Sequence, residues 1–319
     1  MKPDMRSDTA VNIILRHLLQ VMKLNERFIQ QDIDTEFLHD YRVAVRRTRS
    51  ALSQIKAVFP ESQTNRFKED FKYIGQLSNQ LRDLDVYLLA ETEYKNNCQS
   101  SCAQTLIPCL IICKANEKAP CKPLPPAWKR LNTGVFLQEW ELFLEEPPPE
   151  DKTAVNAAMP ILKLAQKRIY KRVRGILKEG HSILQDNRDE RLHALRLECK
   201  KLRYLMEFFA SLFPPDDISH LIRQLKQLQG NLGDFNDLCV QEVYLLHVAR
   251  EMPLRSQASR DALIAIGCLV GALHQRREQV KSEFAATFNA FAAPANEALF
   301  IKCFAPKKAG KKQKKGGRS

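Results

Sequence analysis

Two short rows of cations, each opened by a histidine, carry the clearest chemical capacity in this 319-residue chain. His39, Arg42, Arg46 and Arg49 recur at the spacing of one helix face, and His193, Arg196, Lys200 and Arg203 repeat that spacing. At about 100° per residue each set falls within an arc of about 80°. Like charges three or four residues apart destabilise a helix by about 0.2–0.5 kcal/mol a pair, so surface rows usually alternate with acids. Between Arg42 and Lys56 there is no acid, and Glu198 and Glu207 in the second row are read as lying off the stripe. Unpaired cations on one face, present twice, call for an external counter-anion. Phosphate oxygens suit them: arginine offers a planar fork, lysine a mobile point charge, and histidine a donor that strengthens on protonation.

Both rows need helices to hold them. Tyr41, Val45, Thr48, Leu52 and Ile55 form a separate arc beside the first row, as do Leu195, Cys199, Leu202, Met206 and Phe209 beside the second. Each helix therefore has an apolar face for its own bundle and a basic stripe next to it. Apolar residues at helix spacing also mark Val11 to Ile29, Asn65 to Tyr94, Pro160 to Leu184, Ile218 to Arg250 and Gln257 to Phe291, and Trp128 to Glu145 reads as one more helix or a pair of short ones. The two cation helices are read as Glu36 to Phe59 and Glu190 to Phe213. Strand-like alternation is scarce, so the expected class is all-α.

The two rows belong to an internal repeat. With an offset of 154 residues, Arg46 meets Lys200, Arg47 meets Lys201, Arg49 meets Arg203, and Phe59-Pro60 meets Phe213-Pro214. The register continues into the next helix, where Lys72 meets Lys226 and Asp83-Leu84 meets Asp237-Leu238. The expected architecture is two four-helix bundles related by a pseudo-two-fold axis. Residues 5–304 form the folded domain, with halves 5–146 and 150–304 and a linker at Pro147-Pro148-Pro149. Secondary cations expected to support the stripes are Arg16, Lys23, Arg47, Lys72, Lys167, Lys171, Arg174, Lys201 and Lys226.

The composition, 44% hydrophobic and 27% charged, is enough to build a sizeable core. Of the net charge of +13, seven positive charges lie in the low-complexity tail (305–319), which is expected to be disordered; the body keeps +6. The location of the body's charge therefore matters more than its total. Nine cysteines and an N-terminus that does not resemble a secretory leader suggest free thiols in a reducing cytoplasm. No apolar run is long enough to span a bilayer, so no membrane role is expected.

Other signals carry less. Glu91-Thr92-Glu93-Tyr94-Lys95 matches the Glu-x-Glu-x-Lys pattern of triphosphate tunnel metalloenzymes. That chemistry needs both carboxylates on one face of a strand, and in a helix they diverge by about 200°. Cys98, Cys102, Cys109, Cys113 and Cys121 are read as thiols filling a small bundle, and Asp83 and Asp237 as structural groups that orient a neighbouring arginine. No glycine-rich phosphate loop, nucleophile elbow or His-Glu-x-x-His motif occurs. No metal, cofactor or catalytic residue is expected.

The sequence Leu38-His39-x-x-Arg42-Val43-x-x-Arg46-Arg47-x-Arg49, its partner Leu192-His193-x-x-Arg196-x-x-x-Lys200-Lys201-x-Arg203-Tyr204, and the downstream Leu81-Arg82-Asp83-Leu84-Asp85-Val86 resemble the signature of the CHAD family of histidine-marked helical domains. The chain departs from it at Asn79, where the family often has glycine; the second half keeps Gly233. The resemblance implies two four-helix bundles with a basic groove or pore on the pseudo-two-fold axis. It also implies binding of inorganic polyphosphate and, in some members, association with polyphosphate granules. The competing reading is a nucleic-acid-binding protein that uses the stripes and the lysine-rich tail; sparse aromatics near the stripes argue against base stacking. If the stripes are the specific site, deleting residues 306–319 will lower retention on duplex DNA more than affinity for polyphosphate, as measured by parallel titrations. Complete loss of polyphosphate binding on that deletion would place the site in the tail.

Overall fold

The computed structural model describes residues 1–30, 35–78, 133–147, 153–186, 188–252 and 257–306. Among these residues the regular structure is helical, apart from a single antiparallel bridge between Arg6 and Pro160. In chain order the helices are α1 (Ser7–Gln30), α2 (Thr35–Gln54), α3 (61–78), α4 (Thr133–Glu145), α5 (Ile161–Ile183), α6 (Asp189–Phe208), α7 (Pro215–Glu251), α8 (Gln257–Phe291) and α9 (Pro294–Phe304). The expected all-α class holds. The remainder of the Asn65 to Tyr94 segment, the Cys98–Cys121 cluster, Asp83, the Glu91–Lys95 motif, Pro148-Pro149 and the tail from Lys307 lie outside the described residues.

The two cation helices keep the sequence register in their bounds. Thr35 and Asp189 are 154 residues apart, as are Gln54 and Phe208, and α3 and α7 begin 154 residues apart. Their apolar arcs are buried as read: Tyr41, Val45, Thr48 and Leu52 on α2 with Ile55 just past it, and Leu195, Cys199, Leu202 and Met206 on α6 with Phe209 just past it. Burying one large apolar side chain contributes about 1.5–3 kcal/mol, which offsets the repulsion along the opposite stripe.

Around those faces α1 packs on α2 and α4, α5 and α7 pack on α6, α8 lies along α7, and α9 packs on α5 and α7. In the first half Trp140 meets Phe67 and Phe71 edge-on at 4.6 and 5.4 Å. In the second, buried Phe284 stacks on Phe288, and buried Phe300 meets Phe291 and Phe304. A single cluster of buried side chains runs through both halves, from Ala10 on α1 to Phe304 on α9. The starts of α1 and α5 are also tied: Ser7 N–H donates to Met159 O at 2.9 Å, and Ile161 N–H to Met5 O at 2.9 Å.

Both cation helices stop short of the phenylalanine-proline pairs expected to end them. Past α2, Ala57 takes φ 59°, a conformation that costs an L-residue about 1–2 kcal/mol. The second half holds the turn in place. Asn156 N–H donates to Ala57 O at 2.8 Å, while Asn156 Nδ2 and Arg168 donate to Lys56 O at 2.9 and 3.2 Å. Past α6 the chain tightens into a 3-10 turn at Ala210–Leu212. Helix α9 was not anticipated. Its eleven residues are too short for periodicity to stand out, and Pro294 in its first turn is the one local signal.

Two glycines of α5 test this packing in opposite directions. A Cβ on Gly180 would sit 1.9 Å from the Phe288 ring, whereas one on Gly175 would meet nothing within 4 Å. Gly180→Ala should destabilise by about 1–3 kcal/mol through overpacking. Gly175→Ala should stabilise by up to about 1 kcal/mol through helix propensity. Urea titration of both variants reads the difference.

Candidate functional site

Helices α2 and α6 touch each other, so the helices that carry the two rows are neighbours in the fold. Arg47 binds across the contact: its guanidinium donates to Glu207 Oε2 at 2.8 Å and lies 5.7 Å over the Phe208 ring. Glu207 also lies 3.8 Å from Arg203 of its own helix, whose guanidinium is 5.6 Å over Tyr204. The expectation that Glu207 stands off the stripe needs correction. It follows Arg203 by four residues, about 40° round the helix, and a glutamate reaches that far. Its counterpart in the repeat is Ser53, so only one row carries this internal anion.

Lys200 sits at the centre of the arrangement. It is half-buried, and no protein group bonds its ammonium among the described residues. Burial pushes its pKa below the ordinary lysine range, and Arg196, Arg46 and Arg203 push it further, with Asp237 opposing. Arg46 belongs to α2, so cations from both halves bear on one ammonium. Arg46 itself is exposed and without a partner among the described residues. Arg196 lies 3.5 Å from Asp237, the orienting role expected for that aspartate. His193 Nδ1 is 2.7 Å from Asn236 Oδ1, which only accepts, so Nδ1 donates and Nε2 is left as the second ring position.

The first row leans on α3. Arg42 donates to Ser78 Oγ at 2.6 Å and to Gly75 O at 3.4 Å. Arg49 lies 3.7 Å from the point where a Cβ on Gly75 would stand. A Cβ there would make an ordinary van der Waals contact with Arg49. His39 is half-buried on α2.

Several of the secondary cations are occupied. Lys72 bonds Glu69 at 2.9 Å and Lys201 bonds Glu198 at 2.6 Å. Lys23 pairs with Glu141, and Arg16 donates to Asn12 Oδ1 and Leu144 O, both at 2.7 Å. Lys226 is exposed on α7, and Lys167, Lys171 and Arg174 are exposed on α5. The α5 residues that do approach α2 and α6 are Arg168, which caps Lys56 O, and Arg172, which pairs with Glu198. The sequence reading passed over both. Their spacing of four residues beside the buried Ala165 and Ile169 was the available signal. Burial, then the neighbouring Arg172, lowers the pKa of Arg168.

Comparisons with known proteins agree with this fold. The CHAD domain family model matches residues 13–246, more than half of the sequence, and the chain belongs to the CHAD domain family. The crystal structure of the CHAD domain from the plant Ricinus communis is similar at 24% identity and TM-score 0.69, over 91% of this chain and 94% of that one. PptA from Streptomyces chartreusis is similar at 13% identity and TM-score 0.60, over 89% and 100%. At these identities the likeness concerns the fold. No curated protein matches the sequence. Among the described residues, no group of His, Cys, Asp and Glu is placed to hold a metal, and no helix is long and apolar enough to cross a membrane.

The depressed Lys200 pKa gives the cluster a pH signature. In the unliganded protein the folded state binds fewer protons than the unfolded state between the depressed and the ordinary lysine values, so its contribution to stability rises with pH across that window. If a polyanion binds the cluster, it restores the charge, and a proton is taken up in the same window. Affinity for tripolyphosphate should therefore fall as pH climbs through it. Lys200→Arg, with a fixed charge, should flatten that dependence. Calorimetric titrations in two buffers of different ionisation enthalpy measure the proton uptake directly.

Proposed function

We propose that this protein binds inorganic polyphosphate in a basic groove or pore between α2 and α6, without catalysing a reaction on it. The observation that carries this reading is Lys200, half-buried amid Arg46, Arg196 and Arg203 with no carboxylate bonded to it. Like charges drawn from two halves of a fold are costly unless an outside anion compensates them, and a chain of phosphates supplies such charge at every unit. His39, Arg42, Arg46 and Arg49 line one side in this reading, and His193, Arg196, Lys200 and Arg203 the other. The halves are 5–146 and 150–304, joined at Pro147–Pro149 and related by a pseudo-two-fold. A polymer with no unique end in its interior suits such a repeated site. Membership of the CHAD family supports the reading. Residence in the cytoplasm, on polyphosphate granules, follows from it.

Phosphate contacts release counterions, so affinity for polyphosphate should fall steeply with salt, and losing contacts should flatten the slope. Charge-assisted hydrogen bonds contribute about 1.5–3 kcal/mol each. Replacing Arg42, Arg46 and Arg49 together with Ala should therefore weaken binding by at least about tenfold, and replacing Arg196, Lys200 and Arg203 should do likewise. A control replacing Lys311, Lys312 and Lys314 of the tail carries the same charge change and should matter much less. Stripe variants that stay folded by circular dichroism yet keep both affinity and salt slope would overturn the reading. Displacement of bound polyphosphate by duplex DNA at matched charge would favour nucleic acid instead.

A further inference from the structure

The α5 cations do not face the groove. Arg172 reaches α6 at Glu198, which stands about 180° round that helix from the centre of the His193–Arg203 stripe. Helix α5 therefore packs on the side of α6 away from the stripe. Lys163, Lys167, Lys171, Arg174 and Lys178 are all exposed and lie within about 80° on the face of α5 opposite its buried residues. None has a partner among the described residues. The one acid of α5, Glu179, is taken by Arg191 at 2.8 Å. The row thus presents five cations and no anion, in steps of about 4.5–6 Å over about 22 Å. Its N-terminal end adjoins α9, where Gln166 donates to Cys303 O at 2.9 Å, and the chain after α9 continues with seven further cations.

We propose that this outward face of α5 is a second polyphosphate surface, separate from the groove, so that one molecule engages two segments of polyphosphate and tethers chains to one another. The inference rests on the groove reading for the first of its two sites. The row is one residue wide and straight, which matches a thin single-stranded polyanion. A duplex nucleic acid presents two backbones across a groove about 12 Å wide and would be matched by two rows. The row also offers charge alone, since the nearby amide of Gln166 is turned toward α9. With every contact exposed, this second site is the weaker and more salt-sensitive of the two.

The test uses the full chain, a short polyphosphate of one defined length, and long-chain polyphosphate. Native mass spectrometry and calorimetry with the short chain should give two binding events, and light scattering should rise when the long chain is added. The row variant K167Q/K171Q/R174Q should keep the tight event within about twofold, weaken the second by at least about tenfold and lose the scattering. The groove variant R46Q/K200Q should lose the tight event and keep the weak one. A row variant with unchanged stoichiometry and scattering overturns the second surface and leaves the groove untouched. A groove variant that keeps the tight event overturns the groove reading and leaves the row standing. If the row variant loses only duplex DNA retention, the surface belongs to nucleic acid and the proposal fails. Because all three substituted side chains are exposed, the row variant's thermal midpoint should match that of the unaltered protein, which separates loss of a site from loss of the fold.

Discussion

Repulsion between Arg46, Arg196, Lys200 and Arg203 is the constraint around which the molecule is arranged. No isolated helix would hold such a row comfortably, because each like-charged neighbour costs a few tenths of a kcal/mol. The opposite faces of α2 and α6 supply the compensation. Tyr41, Leu52, Leu195, Leu202 and Met206 are buried among α1, α5 and α7, and that burial fixes the helices whatever the charges prefer. The fold acts as a frame that keeps cations close together, and burial first, then the neighbouring arginines, lowers the affinity of the Lys200 ammonium for its proton.

Much of this was legible in the sequence because helical periodicity and the 154-residue register are both local patterns. The pattern Leu192, Leu195, Cys199, Leu202 predicts a buried face without knowledge of what covers it. The limits of the reading are equally physical. The end of α2 depends on Asn156 and Arg168, more than a hundred residues or nearly so along the chain, so no local signal could place the break at Ala57. The partners of Lys23, Lys72 and Lys201 depend on how far side chains reach, which spacing alone underdetermines. Lys167, Lys171 and Arg174 were grouped with the groove because their charge was visible and their direction was not. Arg168 and Arg172, which reach Lys56 and Glu198 and not the stripes, sit between core positions and are masked by the louder row beside them.

The repeat is also less symmetric than its register suggests. Glu207 places a carboxylate between Arg47 and Arg203, while its counterpart Ser53 offers none. Arg42 bonds Ser78, whereas Arg196 is steered by Asp237. The two rows of the repeat thus differ in how much of their charge is already answered from within.

The continuous core from Ala10 to Phe304, together with the Arg47–Glu207 contact, has a mechanical meaning. The spacing between α2 and α6 is set by side chains packed at crystal-like density, which have little compressibility. That contact is therefore stiff. If polyphosphate binds there as proposed, the seat will not close around it as a hinged cleft does, and the loss of conformational freedom on association falls on the polymer. Its disorder is then given up unit by unit, so residence time should scale with the length engaged and depend little on any motion of the protein.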